Sequence, residues 1–242
     1  MKIGILTAMT SEHDQLASLL ENKRTEQYGL FEYTIGSLAG NRIVLRQCGI
    51  GKVNAALGAA ELIKAYNLDC IISTGVAGGI DKSLNVMDVV VSTQLVYHDV
   101  WCGMGCDYGQ VQGLPTFFQG NWELIETALK LNDQTTNQPN HQTTIHAGLI
   151  CTGDQFITNR QELEKIKSNF PAGLAVDMES AAIAHTCFVY HIPFVSFRII
   201  SDTPGATDDH ASQWANFWEE IADRSFGVTK AFIENIKIST FA

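Results

Sequence analysis

Apolar residues in this chain occur in two arrangements that alternate along its length. Short continuous apolar runs are typical of strands buried on both faces, whereas apolar residues repeating with a helical period indicate amphipathic helices. The runs predict strands over Lys2–Ala8, Phe31–Leu38, Asn41–Cys48, Asp69–Thr74, Asp88–Val96, Ile145–Cys151, Ala172–Val176 and Phe194–Ser201. The helical spacing predicts one helix beginning at Thr10 or Ser11, and others over Lys52–Tyr66, Trp122–Leu131, Arg160–Ser168, Glu179–Tyr190 and Trp214–Ile236.

The order of these elements predicts the fold class. Strands alternate with helices throughout, with one hairpin near the start of the chain and no linker between domains. This order favours a single α/β domain over residues 1–242, with a mixed, largely parallel central sheet flanked by helices. Asp99–Gln119 and Asn132–Thr144 have no clear period, and we interpret them as a long functional loop and an exposed loop.

Composition narrows the classes of function. The chain has 242 residues, of which 45% are hydrophobic and 17% charged, and a net charge of -10. An acidic protein is a poor partner for nucleic acid, because the phosphate backbone needs a basic face, but small nucleosides remain suitable ligands. No apolar stretch approaches the ~20 residues that span a bilayer. The first apolar run is too short for a signal peptide, so we expect a cytoplasmic protein without a membrane segment.

Cysteine usage supports the same compartment. Four of the six cysteines lie in apolar segments, where a free thiol packs as a small hydrophobe. Cys102 and Cys106 have the spacing of a metal-binding pair, but no second Cys/His pair follows them. We therefore expect neither a metal nor a cofactor.

Glycine-rich turns follow two of the predicted strands. Gly75–Gly79 is not the G-x-G-x-x-G of dinucleotide-binding proteins. Gly49-Ile50-Gly51-Lys52 lacks the upstream glycine and the Ser/Thr of a P-loop. Both segments suit tight turns, and both would also let a ligand approach the backbone closely.

Acidic residues interrupt the most apolar part of the chain, Leu174 to Asp202. Asp177 and Glu179 lie where a strand gives way to an Ala-rich helix, and Asp202 ends the next strand. Buried carboxylates are costly unless they are paired or functional, and ligands in α/β sheets bind at the carboxyl ends of strands. Each acid also has an ordinary structural explanation, as a helix-start acid or a turn-forming Asp.

Two more polar features bear on the site. Arg198 lies within the same apolar strand and needs an anionic partner, for which Glu12 and Glu179 are candidates. The pair His98-Asp99 looks catalytic, but adjacent residues on a strand point to opposite faces. We therefore interpret His98 and Asp99 as structural.

A set of ordered motifs spans most of the chain. They read M-K-I-G-I-L-T-A-M-x-x-E, C-G-I-G-K-V-N-A-A, T-G-V-A-G-G, Y-H-D-V, Y-G-Q-V, T-G-D-Q-F-I, A-V-D-M-E-S-A-A-I-A and R-I-I-S-D. Together they resemble the nucleoside phosphorylase/hydrolase superfamily, and within it the nucleosidases that act on 5′-methylthioadenosine and S-adenosylhomocysteine. The resemblance implies hydrolysis of an N-glycosidic bond, with release of adenine and a 5-thioribose product.

The resemblance also implies roles for individual residues. Glu12 would be the general base that activates water, and Asp202 the general acid that protonates N7 of adenine. Arg198 and Ser201 would support these acids. Either Trp214 or Phe217 would close over the substrate. The substrate contacts implied in the same way are Met9, Gly78, Phe156, Ile157, Met178, Glu179, Arg198 and Ser201.

The choice among related activities stays open at several points. No Lys or Arg lies between Ile3 and Leu20, and Glu12 would repel phosphate, which favours water over phosphate as nucleophile. Val76 replaces a serine common in the family, and residues 101–115 differ from the usual segment, which in relatives crosses a homodimer interface. An aminodeoxyfutalosine nucleosidase, a purine nucleoside phosphorylase and a nucleoside-binding module without catalysis remain possible.

Overall fold

The structure is a computed structural model that describes residues 1–135, 143–204, 207, 210–218 and 222–237. Strands and helices alternate along these residues. The strands are β1 Lys2–Thr7, β2 Glu21–Tyr28, β3 Phe31–Leu38, β4 Asn41–Gln47, β5 Cys70–Gly79, β6 Val89–Tyr97, β7 Phe118–Gln119, β8 Ile145–Thr152, β9 Gly173–Asp177 and β10 Phe194–Asp202. The helices are α1 Thr10–Ser18, α2 Lys52–Ala65, α3 Trp122–Leu129, α4 Leu131–Thr135, α5 Arg160–Asn169, α6 Ser180–Tyr190, α7 His210–Asn216 and α8 Ala222–Asn235.

One mixed sheet contains all of these strands. Its path runs β10-β6-β8-β9-β5-β1-β4-β3-β2, and β10 also pairs with β5, so that β5, β9, β8, β6 and β10 close into a ring. Within the described residues, half of the strand pairings are antiparallel, including β10 with β6 and β5 with β9. The single α/β domain and the mixed character of its sheet are as predicted, but the sheet is not largely parallel. The reason is that β6, β8 and β9 run opposite to β5 and β10.

Helices cover the sheet on both sides, which explains the continuous apolar runs in its strands. One buried cluster joins β1, β4, β6 and β10 to side chains of α1, α3 and α8. A second joins the opposite faces of these strands to α2 and α6. A third packs α5 against β8 and β9. No helix in the described part of the chain is long and apolar enough to cross a bilayer.

The structure departs from the predicted elements in several places, one of which is β7, inside the predicted loop Asp99–Gln119. β2 was not predicted, because its sequence E-N-K-R-T-E-Q-Y is polar and almost wholly exposed. Gly75–Gly79 continues β5 instead of forming a turn, and it pairs with β9 and β10. The predicted helix Trp214–Ile236 is divided between α7 and α8, and residues 219–221 lie outside the described ranges. The predicted loop Asn132–Thr144 begins within α4, and residues 136–142 of this loop lie outside the described ranges.

The start of α1 also differs from the prediction. Its N-cap is Met9, not Thr10 or Ser11. The Glu12 carboxylate accepts hydrogen bonds from the backbone N–H groups of Ala8, at 2.9 Å, and Met9, at 3.0 Å. Glu12 is the third residue of the helix, so its bond to the Met9 N–H is the one that the acid of a capping box makes to the N-cap backbone.

Candidate active site

A cleft opens where β1, β5, β9 and β10 end. Nine of the ten residues predicted for the site line it, namely Met9, Glu12, Gly78, Phe156, Ile157, Met178, Glu179, Ser201 and Asp202. The remaining wall comes from residues that the sequence did not single out as contacts, among them Ile50, Ala77, Gln155, Val176 and Pro204. The β5 pairing explains the convergence, because Gly78 lies beside Val176 of β9 and beside Asp202 of β10.

Glu12 lies at the floor of the cleft and is 2% exposed. Besides its two bonds to the start of α1, its carboxylate accepts the backbone N–H of Val76 at 3.0 Å. Burial raises the pKa of Glu12 above its ordinary value of 4.5, although Arg198 and the three N–H donors oppose the shift. Such a carboxylate is fixed in direction and more basic than one in water, as a general base requires.

Gly75 allows Glu12 and Arg198 to approach the backbone of β5. Its φ is +151°, and a Cβ at this position would collide with Glu12 Oε1 and lie 2.8 Å from Arg198 Nη1. The first glycine of the Gly75–Gly79 segment is therefore needed to make room for the two charged groups.

Arg198 lies behind the cleft and not on its wall. It is 1% exposed, and its Nη2 is 2.9 Å from Asp177 Oδ2 and 3.6 Å from Glu179 Oε2. Its Nε donates to Ser180 Oγ and its Nη2 to Ser73 Oγ. Arg198 was expected to contact the substrate, but it does not line the cleft. Its position on β10 directs the guanidinium toward buried carboxylates instead.

Asp177 is the nearest partner of Arg198, although the sequence suggested Glu12 or Glu179. It accepts hydrogen bonds from Thr152 Oγ1 at 2.6 Å, from the Ser180 N–H and from the Ser180 hydroxyl. Its carboxylate is therefore saturated by protein donors. Asp177 also lines the cleft, but these contacts assign it the bracing of Arg198.

Glu179 has fewer protein partners than Asp177. The Gly51 N–H donates to its Oε1 at 3.0 Å. Burial raises the pKa of Glu179 to about 7, with Arg198 opposing the shift and Asp177 reinforcing it. Its Oε2 keeps acceptor capacity toward the cleft, because the nearest Arg198 nitrogen is 3.6 Å away.

Asp202 ends β10 on the opposite wall. It is 4% exposed, and the Ser201 hydroxyl donates to its Oδ1 at 2.7 Å. Gly78 lies next to it, and a Cβ there would be 3.6 Å from Asp202 Oδ2 and 3.4 Å from Pro204. Ser201 thus orients this carboxyl group, and Gly78 lies in close contact with it.

Aromatic side chains form the outer wall. Phe156 is 55% exposed and meets Trp214 edge to face, with ring centroids 6.0 Å apart. Trp214 lines the cleft, whereas Phe217 is fully buried in the core beneath α7. Of the two candidates for closing the site, the structure places Trp214 at its mouth.

The His98-Asp99 pair lies outside the cleft. His98 is 4% exposed and packs against Gly153, while Asp99 pairs with Lys52. Within the described residues, no group of three or more His, Cys, Asp or Glu side chains is arranged to hold a metal ion.

The fold and the acid-lined cleft define a class of protein. The sequence model of the Phosphorylase superfamily matches residues 2–234. The chain therefore belongs to this superfamily.

Its relatives within that class share a narrower description. The chain is 42% identical to the 5′-methylthioadenosine/S-adenosylhomocysteine nucleosidase of Pseudoalteromonas translucida over 98% of both sequences. It resembles the nucleosidase of the same name from Colwellia psychrerythraea, solved with adenine, with a TM-score of 0.89 and 35% identity over 98% of this chain and 96% of the other. The Neisseria meningitidis nucleosidase, solved with methylthio-immucillin-A, gives a TM-score of 0.88 and 36% identity over 97% and 99%.

One structural relative has a different substrate in its name. The futalosine hydrolase of Helicobacter pylori has a TM-score of 0.86 and 27% identity over 98% of both chains. It shares the fold at a lower identity than the nucleosidases named above.

Proposed function

We propose that this protein hydrolyses the N-glycosidic bond of 5′-methylthioadenosine and S-adenosylhomocysteine, releasing adenine and the 5-thioribose product. The observation that carries the proposal is the cleft in which buried Glu12, Glu179 and Asp202 face one space. Relatives that are 42% and 35% identical carry the nucleosidase name, and one of them was solved with adenine.

The chemistry follows from the charge that develops in the reaction. Cleavage leaves an oxocarbenium-like sugar and an anionic purine. Asp202 donates a proton to N7 of the adenine, which removes the negative charge on the leaving group. Glu12 accepts a proton from the attacking water, and the nearby carboxylates stabilise the cationic sugar electrostatically.

Substrate contacts divide along the cleft. Glu179 accepts hydrogen bonds from the ribose hydroxyls, and Met178 packs against the sugar. Phe156 stacks on the adenine, and the Ile157 backbone meets the adenine edge. Met9 and Gly78 line the sugar and water site, and Trp214 closes over the substrate.

Water is favoured over phosphate as the nucleophile. The described residues that line the cleft include neither Lys nor Arg. Arg198, the nearest guanidinium, is buried and already paired with Asp177. A phosphate dianion at Glu12 would meet a carboxylate, and the charge of nearby Arg198 is already paired with Asp177, so a phosphorylase is not favoured.

A futalosine-type substrate and a binding role without catalysis are also less well supported. The futalosine hydrolase is 27% identical, against 42% for the Pseudoalteromonas nucleosidase, so a futalosine-type substrate is not favoured. A binding module without catalysis would not need Glu12 and Asp202 together in one buried cleft.

We further infer a homodimer. Two large apolar residues of α2 face solvent, Val53, which is 70% exposed, and Leu57, which is 55% exposed. With Val189 and Tyr190 of α6 they line an exposed apolar groove. An exposed patch of this kind is typical of a protein–protein interface, and a second copy of the chain is the partner that the family resemblance implies.

All six cysteines are free, which suits a cytoplasmic enzyme of methionine salvage.

The proposal is tested by measuring adenine release. The substrates are 5′-methylthioadenosine, S-adenosylhomocysteine, aminodeoxyfutalosine and inosine, each with and without phosphate. We expect turnover of the first two at rates that phosphate does not change. Glu12→Gln and Asp202→Asn should each lower kcat by about 10²–10⁴-fold, whereas Glu126→Gln, a control on the solvent side of α3 and outside the cleft, should not. Strict phosphate dependence, equal kcat/KM for all four substrates, or an Asp202→Asn enzyme within about threefold of the parent would contradict the proposal.

A further inference from the structure

Asp99 lies outside the cleft but connects two of its walls. Its carboxylate accepts two hydrogen bonds from Lys52 Nζ, both at 2.7 Å, and a third from the backbone N–H of Asp154 at 2.9 Å. The Lys52 and Asp99 side chains are only 21% and 18% exposed. A partly buried carboxylate that accepts three hydrogen bonds fixes the groups around it more firmly than a surface ion pair does.

The first wall held in this way is the start of α2. The Lys52 backbone N–H donates to Asp154 Oδ1 at 2.7 Å. The preceding N–H, that of Gly51, donates to Glu179 Oε1 at 3.0 Å. These two N–H groups belong to consecutive residues, so anchoring Lys52 limits how far the Gly51 N–H can move from Glu179.

The second wall is the segment that follows Asp154. Gln155, Phe156 and Ile157 come next in the chain and line the cleft. Asp154 is fixed through both its backbone N–H, by Asp99, and its side chain, by the Lys52 backbone. Asp99 therefore determines where this segment leaves β8.

Two glycines allow these parts to approach closely. Gly51 has φ +94°, and a Cβ there would lie 3.1 Å from Asp154 Oδ1. A Cβ at Gly153 would collide with the buried His98 ring. The arrangement leaves little space in which the loops could shift while Asp99 and Lys52 remain paired.

We infer that Asp99 and Lys52 are positioning residues for the ribose and adenine contacts, acting through Gly51 on Glu179 and through Asp154 on Phe156 and Ile157. This inference rests on the proposed function, because it assigns Glu179 to the ribose hydroxyls. Replacing Asp99 with asparagine removes the negative charge that holds Lys52 Nζ, and it replaces one of the two acceptor oxygens shared by Lys52 Nζ and the Asp154 N–H with an NH2 donor. The Gly51 N–H is then free to turn away from Glu179, which weakens its hold on the ribose.

The test compares two substrates on the same enzyme sample. These are 5′-methylthioadenosine and its 3′-deoxy analogue, which lacks one ribose hydroxyl and leaves the carbon beside the reacting centre unchanged. The ratio of their kcat/KM values does not depend on the fraction of folded enzyme. We expect Asp99→Asn to lower this ratio by about tenfold, the equivalent of one charge-assisted hydrogen bond, and to raise KM more than it lowers kcat.

Lys52→Met should behave like Asp99→Asn, and the double variant should be no worse than either alone, because both remove one interaction. Asp81→Asn is the matched control. Asp81 also accepts from a lysine, Lys167 at 2.9 Å, and from a backbone N–H, that of Ser83, but it does not line the cleft. It should keep the parent ratio.

Two outcomes separate the inference from the proposed function. If the parent hydrolyses 5′-methylthioadenosine and Asp99→Asn keeps the parent ratio, the positioning role is refuted. If the parent hydrolyses neither substrate, the proposed function itself is refuted.

Discussion

Replacing Glu179 with glutamine should remove a pH dependence from the stability of the protein. Burial raises the pKa of Glu179 from its ordinary 4.5 to about 7. The folded state therefore binds this proton more tightly than the unfolded state does. The resulting stabilisation is fully present below pH 4.5 and is lost as the pH rises toward 7.

The size of the effect follows from the two pKa values. Between pH 5 and pH 8 the unfolded chain carries the Glu179 charge throughout most of the range, while the folded chain acquires it only near pH 7. Integrating the difference in bound protons gives a loss of about 2–3 kcal/mol over this interval. For a chain of this length the loss corresponds to about 5–10 °C in Tm.

Calorimetry at pH 5 and pH 8 measures this loss. We expect the Tm of the parent to fall between the two pH values by about 5–10 °C more than the Tm of Glu179→Gln. Asp81→Asn is again a useful control, because Lys167 lowers the pKa of Asp81 to about 2. That carboxylate is charged at both pH values, so the variant should differ from the parent by the same amount at each. A Tm difference between the parent and Glu179→Gln that is equal at pH 5 and pH 8 would refute the reasoning.

Two further predictions concern the backbone under Glu12 and the apolar groove. Gly75→Ala should lower kcat by about 10²-fold, because the added Cβ would displace Glu12. The control is Gly103→Ala, since Gly103 also has a positive φ, +91°, but no atom would lie within 4 Å of its Cβ, and this variant should keep the parent kcat. Equal kcat values for the two variants would count against the argument. Leu57→Glu should convert the dimer to a monomer in sedimentation experiments, whereas Leu30→Glu, at a 92% exposed position away from the groove, should not. A parent protein that sediments as a monomer at all concentrations would contradict the dimer.

The continuous apolar runs identified the strands that lie between layers of helices, because both faces of those strands need apolar side chains. The same criterion missed β2, which has no buried face to mark it. The helical spacing over Lys52–Tyr66 predicted α2 but not which of its faces is buried, and the buried residues of α2 are Ala55, Gly58, Ala59 and Leu62. Small residues pack closely on the sheet and leave the larger Val53 and Leu57 outward, which periodicity alone does not reveal.

For the site, the sequence predicted which residues lie at strand ends but not the directions of their side chains. The acids at strand ends were identified from sequence and converge in the cleft. The partner of Arg198 was not identified from the sequence. Asp177 and Glu179 lie two residues apart at a strand-to-helix junction, where neither the strand period nor the helix period predicts the direction of a side chain. The choice between Trp214 and Phe217 depended likewise on the rotation of α7, which only the fold determines.

Ring closure also bears on how the protein avoids self-association through its sheet. Because one end of the strand path joins back onto β5, β2 is left as the strand at the other end. An unpaired strand edge is a template for adding another chain, and charged side chains discourage this. β2 is the most charged of the strands, with Glu21, Lys23, Arg24 and Glu26 along its length. The polar sequence that concealed this strand from pattern analysis is thus suited to keeping a ten-stranded sheet from growing into an aggregate.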